Sequence, residues 1–329
     1  MRTIVIAALF GALAACGAET SSEAEQPASS EVASLSDAVD AVERDSAKLT
    51  ARMATPLPDY FDCVRVAGGL LIATHRGGPA PGYPENALET MQNALEQGFT
   101  VFEIDVAESR DGVLFLMHDR TLGRTTTLDG PVVDADWDEI SRARLIDNAG
   151  TQTRFNPPKL TDVLIWAVEN NAIVELDRKS STSFRNIISA VRAAGAENHV
   201  ILISYNDNDA GEIARLAPDM MLTASARGNR DISRLEQLGV ERENLIAWTG
   251  TREPDPAAFD RLLREGVEPA FGTLGRRGER LDDAWLADGD ASEYQELVDD
   301  GLVLLATDRP FEIAPQLDAD DIAASACPR

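Results

Sequence analysis

Histidine is nearly absent, with three in 329 residues. Cysteine is as scarce, also three; aromatics make up 5%, and 30 basic residues face 56 acidic ones for a net charge of −26. The shortage of positive charge argues against nucleic acid or an anionic membrane surface as a partner, since both would be repelled. No histidine is spaced as a ligand beside a cysteine, which argues against zinc. The apolar run from Thr3 to Ala12 is too short to span a bilayer stably. What is present, 44% hydrophobic residues over a length able to bury a large core, is an ordinary soluble globular composition.

Two of the scarce histidines fall close together, in a window that runs His75-Arg76-Gly77-Gly78, Pro84-Glu85-Asn86, Glu103-Ile104-Asp105 and Met117-His118-Asp119. Between Thr100 and Val106 apolar and acidic residues alternate, so on a strand Phe102, Ile104 and Val106 point one way and Glu103 and Asp105 the other. Carboxylates two positions apart on one face lie roughly 6 to 7 Å apart at Cα, close enough to chelate one hard cation. An exposed strand with an acidic wet face would give the same alternation. Asp111-Gly112 signals a turn, and the link to the next strand-like run, Val113 to Met117, is too short for a parallel crossover. A β-hairpin after the second strand is therefore expected, returning His118 to the level of Glu103.

From Leu70 onward short apolar runs alternate with amphipathic segments of helical length. Strands are expected at 70–74, 101–106, 172–176, 200–204, 220–224, 245–248, 269–272 and 302–306. Eight such units fit an α/β TIM barrel, whose working face is the C-terminal end of the strands. From Ala172 to Asp177 the parity puts Glu175 and Asp177 inside the barrel near its top. Asn86 with Glu89 reads as a helix N-cap, a structural role for Pro84-Glu85-Asn86. His199 precedes the fourth strand and belongs to the opposite rim. Trp248 and Phe271 fall near strand ends as pocket wall or core, Trp137 and Trp166 read as core, and Arg276-Arg277 suits either an anionic substrate or a solvated loop.

The ordered set of motifs resembles the glycerophosphodiester phosphodiesterase family. It comprises His75-Arg76-Gly77, Pro84-Glu85-Asn86, Glu103 and Asp105, His118-Asp119 with Leu122-Gly123-Arg124-Thr125-Thr126, Asp177-Arg178-Lys179, Ser204-Tyr205 where the family has Ser-Phe, and Thr307-Asp308-Arg309-Pro310. The resemblance implies a TIM barrel that hydrolyses small-molecule glycerophosphodiesters to glycerol 3-phosphate and an alcohol through a cyclic phosphate. It assigns His75 and His118 as catalytic, Arg76 and Lys179 as phosphate contacts, and Glu103, Asp105 and Asp177 as ligands of one divalent cation. Glu175 is a further ligand or a partner for Arg76. Oxygen ligands point to Ca²⁺ or Mg²⁺. The alternatives are a phosphoinositide-type phospholipase C, whose bacterial forms replace the metal by a basic residue, and a non-catalytic surface-binding lipoprotein.

Ahead of this domain, Leu13-Ala14-Ala15-Cys16 resembles the bacterial lipobox, which implies a signal peptide over 1–15 and lipidation of Cys16. Residues 16–58 read as a tether, flexible at first and partly helical between Leu35 and Met53, leading into a barrel over 59–329. The expectation is an outer-membrane lipoprotein facing the periplasm, in contact with the membrane only through its anchor. That compartment permits a disulfide between Cys63 and Cys327, because a closed barrel brings its two ends together.

Overall fold

The computed structural model describes residues 55–287, 289–318, 327 and 329. Cys16, the signal-like segment and the helix expected between Leu35 and Met53 lie outside these residues.

Nine strands are present among them: β1 Leu71–Thr74, β2 Val101–Glu108, β3 Leu114–Leu116, β4 Ile173–Arg178, β5 Val200–Ile203, β6 Met221–Ser225, β7 Leu245–Trp248, β8 Glu268–Gly272 and β9 Leu304–Thr307. All but β3 are mutually parallel, and the β1–β2 and β1–β9 pairings close the eight into a barrel. Helices cross between successive parallel strands, as a parallel pairing demands. The last strand begins two residues later than the apolar run suggests, because Leu302 and Val303 complete the approach to the sheet and the register pairs Thr74 with Thr307.

β3 runs antiparallel to β2, with Val106 opposite Leu116 and Glu108 opposite Leu114. Met117 N donates to Asp105 O at 3.0 Å, which brings the following His118 beside the acidic strand.

Side-chain alternation separates two cores. Phe102, Ile104, Val106, Val174 and Leu176 pack outward against the helices, while Val101, Ile173, Ile201, Met221 and Ile246 fill the barrel. The N-terminal end is closed by helix α1, Leu57–Ala67, whose Leu57, Tyr60, Phe61 and Val64 join the inner cluster. Cys63 on this helix is disulfide-bonded to Cys327, Cα to Cα 5.8 Å, so the two ends of the domain meet at the barrel floor. His199 is buried there as well, its Nδ1 2.9 Å from Ala172 O. Apolar residues thus occupy the lower barrel, and the next inward positions on β2 and β4 carry acids.

Candidate active site

The β2–β4 register pairs Glu103 with Glu175 and Asp105 with Asp177, so four carboxylates converge at the barrel mouth. Glu103, Asp105 and Asp177 each offer an oxygen lying within 4.8 Å of the other two, and all three are buried. Glu175, one inward position deeper, is outside this group. It does not partner Arg76 either: the guanidinium donates to both oxygens of Glu85 at 3.0 Å and approaches Asp105 Oδ2 at 3.7 Å. Burial alone pushes the Glu175 carboxyl up to about 7.

Lys179 follows β4 and turns its ammonium back between Asp105 Oδ1 and Asp177 Oδ2, 2.6 Å from each. The Asp177 contact is an aligned hydrogen bond, whereas the Asp105 contact is an ion pair without that alignment. Burial opposes ionisation of Asp105, but Lys179, His118 and Arg76 outweigh it and hold its carboxyl below the usual range. Glu103 goes the other way. Its burial, with the Asp105 charge beside it, raises it to about 8. Asp177 Oδ1 is in addition a buried oxygen with no hydrogen-bond donor, and a carboxylate is left in that condition only at a cost unless a cation takes it up. The donor set is all oxygen, which suits Ca²⁺ or Mg²⁺.

His75 stands just past β1. The backbone turns sharply here, with left-handed φ values at Arg76 (54°) and Gly77 (84°). A Cβ on Gly77 would come within 2.9 Å of Met91 Cγ, so the small residue in His-Arg-Gly lets the turn pack against the helix Leu88–Leu95. The turn aims Arg76 N–H at Glu103 Oε2, 2.9 Å away.

Each mouth histidine is held through Nδ1 by an aspartate that an arginine pins in turn. His75 Nδ1 lies 2.6 Å from Asp308 Oδ1, and Asp308 Oδ2 accepts from Gly275 N at 3.1 Å and meets Arg280 Nη1 at 2.6 Å. His118 Nδ1 lies 2.7 Å from Asp119 Oδ1, and Arg124 Nε donates to Asp119 Oδ2 at 2.6 Å. A carboxylate on Nδ1 fixes the tautomer that leaves Nε2 as the reacting nitrogen. Burial lowers the His75 pKa, but the Asp308 and Glu103 charges overcome it and the net shift is upward. His75 and His118 line one cavity of about 350 Å³ with the four acids, Lys179, Tyr205 and Trp248.

Several residues meet partners that their motifs did not disclose. Asn86 is not an N-cap: the helix begins at Leu88 behind Ala87, without a side-chain cap. Asn86 instead takes a left-handed φ of 58°, donates Nδ2–H to Asp105 Oδ2 at 2.6 Å and accepts from Asp105 N at 2.9 Å. Glu85 binds both Arg76 and Arg124. Tyr205 O–H donates to Asp177 Oδ2 at 2.8 Å. All of these, like Asp308 and Asp119, lie inside the motifs, but a motif does not say which partner each residue meets. Trp248 lines the cavity, whereas Phe271 is fully buried in the outer core. Arg276 and Arg277 are exposed.

The profile of the glycerophosphoryl diester phosphodiesterase family matches residues 75–257, more than half of the chain. An uncharacterized Bacillus subtilis protein is 33% identical over 155 residues, covering 45% of this chain and 63% of that protein. The probable glycerophosphodiester phosphodiesterase 2 of Mycobacterium tuberculosis is 28% identical over 199 residues, covering 60% and 67% respectively. The chain thus spans about two thirds of these relatives' length. Among solved structures, a glycerophosphoryl diester phosphodiesterase from Parabacteroides distasonis superposes with a TM-score of 0.68 at 26% identity, over 80% of this chain and 92% of that one. With the family's motifs gathered at the mouth of a closed parallel barrel, the chain belongs to the glycerophosphoryl diester phosphodiesterase family.

Proposed function

We propose that this barrel hydrolyses glycerophosphodiesters to glycerol 3-phosphate and an alcohol, with one divalent cation, Ca²⁺ or Mg²⁺, held by Glu103, Asp105 and Asp177. The observation that carries the reading is the convergence of three buried carboxylate oxygens within 4.8 Å, flanked by two aspartate-oriented histidines. Bound there, the cation supplies Lewis-acid stabilisation of charge on the phosphoryl oxygens.

The chain's own groups do the rest. Arg76 and Lys179 contribute positive charge toward the phosphoryl group. Through Nε2, one of His75 and His118 takes the proton from the attacking hydroxyl and the other protonates the departing alkoxide, each transfer worth roughly 10²- to 10⁴-fold. With the glycerol hydroxyl as nucleophile, the first product is a cyclic phosphate. Water then opens it with the histidine roles exchanged. Asp308 and Asp119 keep both rings in the required tautomer. Bacterial forms of the phospholipase C alternative replace the metal by a basic residue, and the intact carboxylate set tells against that form.

The domain reading also carries the proposal of an envelope lipoprotein anchored through Cys16; intact mass of the mature protein tests it. The experiment for the activity is glycerol 3-phosphate release from glycerophosphodiesters with Ca²⁺, with Mg²⁺ and with EDTA. Full turnover after exhaustive chelation, or in a His118→Ala variant, refutes the reading.

A further inference from the structure

His75 borders two cavities. The first is the acidic chamber described above, and the second, about 670 Å³, opens on the other side of His75 between the turn after β1, the loops around Arg124 and Asp147, and the loop after β8. Its wall holds Arg76, Arg124, Arg277, Arg280 and Arg309. Five arginines and three acids, Glu85, Asp147 and Asp308, line it, and Arg124, Arg280 and Arg309 also pair with Asp119, Asp283 and Glu312, which lie outside the wall.

The three acids have little anionic capacity left. Glu85 accepts from Arg76 and Arg124 with both oxygens. Asp308 is occupied by His75, Gly275 N and Arg280. Asp147 accepts from the backbone N–H groups of Gly82, Ala149 and Thr151. A guanidinium has five donors; Arg124 and Arg309 spend theirs on carboxylates through all three nitrogens, whereas Arg76 Nε has no hydrogen-bond acceptor. Arg277 pairs with no carboxylate among the described residues, although its neighbour Arg276 meets Glu279.

We infer that this second cavity binds an anionic substituent, a phosphate monoester or a carboxylate, on the alcohol arm of the substrate. The inference rests on the proposed diesterase activity. Glycerol carries only hydroxyls, so the charge belongs to the other arm of the diester. Arginine forks match phosphate and carboxylate oxygens in pairs. A quaternary ammonium head such as choline meets like charge in the same place. The substrate class is therefore glycerophosphodiesters whose alcohol is itself negatively charged, with Arg277, which has no carboxylate partner among the described residues, as the cation that meets it.

The test compares glycerophosphoinositol with glycerophosphoinositol 4-phosphate, which differ by one phosphate monoester on the alcohol. Wild-type kcat/KM favours the phosphorylated substrate by about tenfold or more, mainly through KM, and Arg277→Glu abolishes most of that ratio. A wild-type ratio of one or below, or a ratio that Arg277→Glu leaves unchanged, overturns the inference. Calorimetric titration with the free alcohols separates it from the activity proposal. Inositol 4-phosphate binds the wild type more tightly than inositol does, and Arg277→Glu removes the difference. If neither diester is cleaved, the activity proposal fails, and equal binding of the two alcohols, or a difference insensitive to Arg277→Glu, overturns the cavity assignment on its own.

Discussion

The two ends of this barrel treat buried charge in opposite ways. At the floor, the buried acid has a fixed cationic partner and the buried histidine is kept neutral. Glu268 at the start of β8 receives Arg65 Nε at 2.8 Å, and His199 is held as the free base, its pKa lowered to about 4 by burial and by Arg329 nearby. In the acidic chamber at the mouth, four carboxylates face a single lysine, Glu103 is driven up to about 8, and Asp177 Oδ1 has no donor. The floor is finished as folded; the mouth is built to be completed by something that arrives. The lesson is that excess, not burial, marks the working end, since buried acids occur at both.

The comparison breaks most sharply if histidines at the mouth prove dispensable. His75→Ala or His118→Ala should cost roughly 10²- to 10⁴-fold in turnover of a glycerophosphodiester, with the unfolding midpoint little changed. A variant that loses activity and stability together would place these residues with the floor instead. The converse holds for the disulfide. Replacing Cys63 and Cys327 together by alanine should lower stability by about 2 to 5 kcal/mol in urea unfolding while leaving kcat intact at temperatures where the variant stays folded.

How much of this was legible before the structure depends on the range of the interaction. Alternation along a strand is local, so the inward parity of Glu103, Asp105 and Asp177 could be read directly. The bridge between Cys63 and Cys327 joins positions 264 apart, yet barrel closure alone brings them near. What could not be read was pairing set by loops. Asn86 satisfies every local rule for an N-cap, but a left-handed φ sends its amide to Asp105 on the next strand. Asp308 lies 233 positions from His75, and nothing local distinguishes it from an aspartate capping the helix that follows. The place of Glu175 needed coordinates as well: it points inward like Asp177 but lies one position deeper, outside the group of three, and Arg76 pairs with Glu85 instead.

His199 supplies a test of the floor by pH. Its ordinary pKa of 6.5 falls to about 4 in the fold. Between those values the unfolded chain holds a proton that the folded chain refuses. The stabilising contribution is therefore complete above about pH 6.5 and is lost as pH falls toward 4, amounting to about 3 kcal/mol. Urea midpoints measured across that window should drop steeply for the wild type and less so for His199→Asn. Equal slopes would show that some other group governs acid unfolding.

The smallest expected effect asks whether the mouth is tuned as well as charged. Tyr205 stands where the family pattern has phenylalanine, and although 69% of the residue is exposed its hydroxyl reaches Asp177 Oδ2. In the proposed site Asp177 would present its other oxygen, the one without a donor, to the cation. A hydrogen bond to Oδ2 restricts rotation of the carboxylate and favours that presentation. Partners of this kind typically change metal affinity by 10- to 100-fold, and because Lys179 also holds Oδ2 the effect here should be near the lower limit. Tyr205→Phe should therefore raise the divalent cation concentration for half-maximal activity by about tenfold while kcat at saturating cation changes little. If the cation dependence does not move, the hydroxyl merely fills the rim, and Lys179 alone orients Asp177.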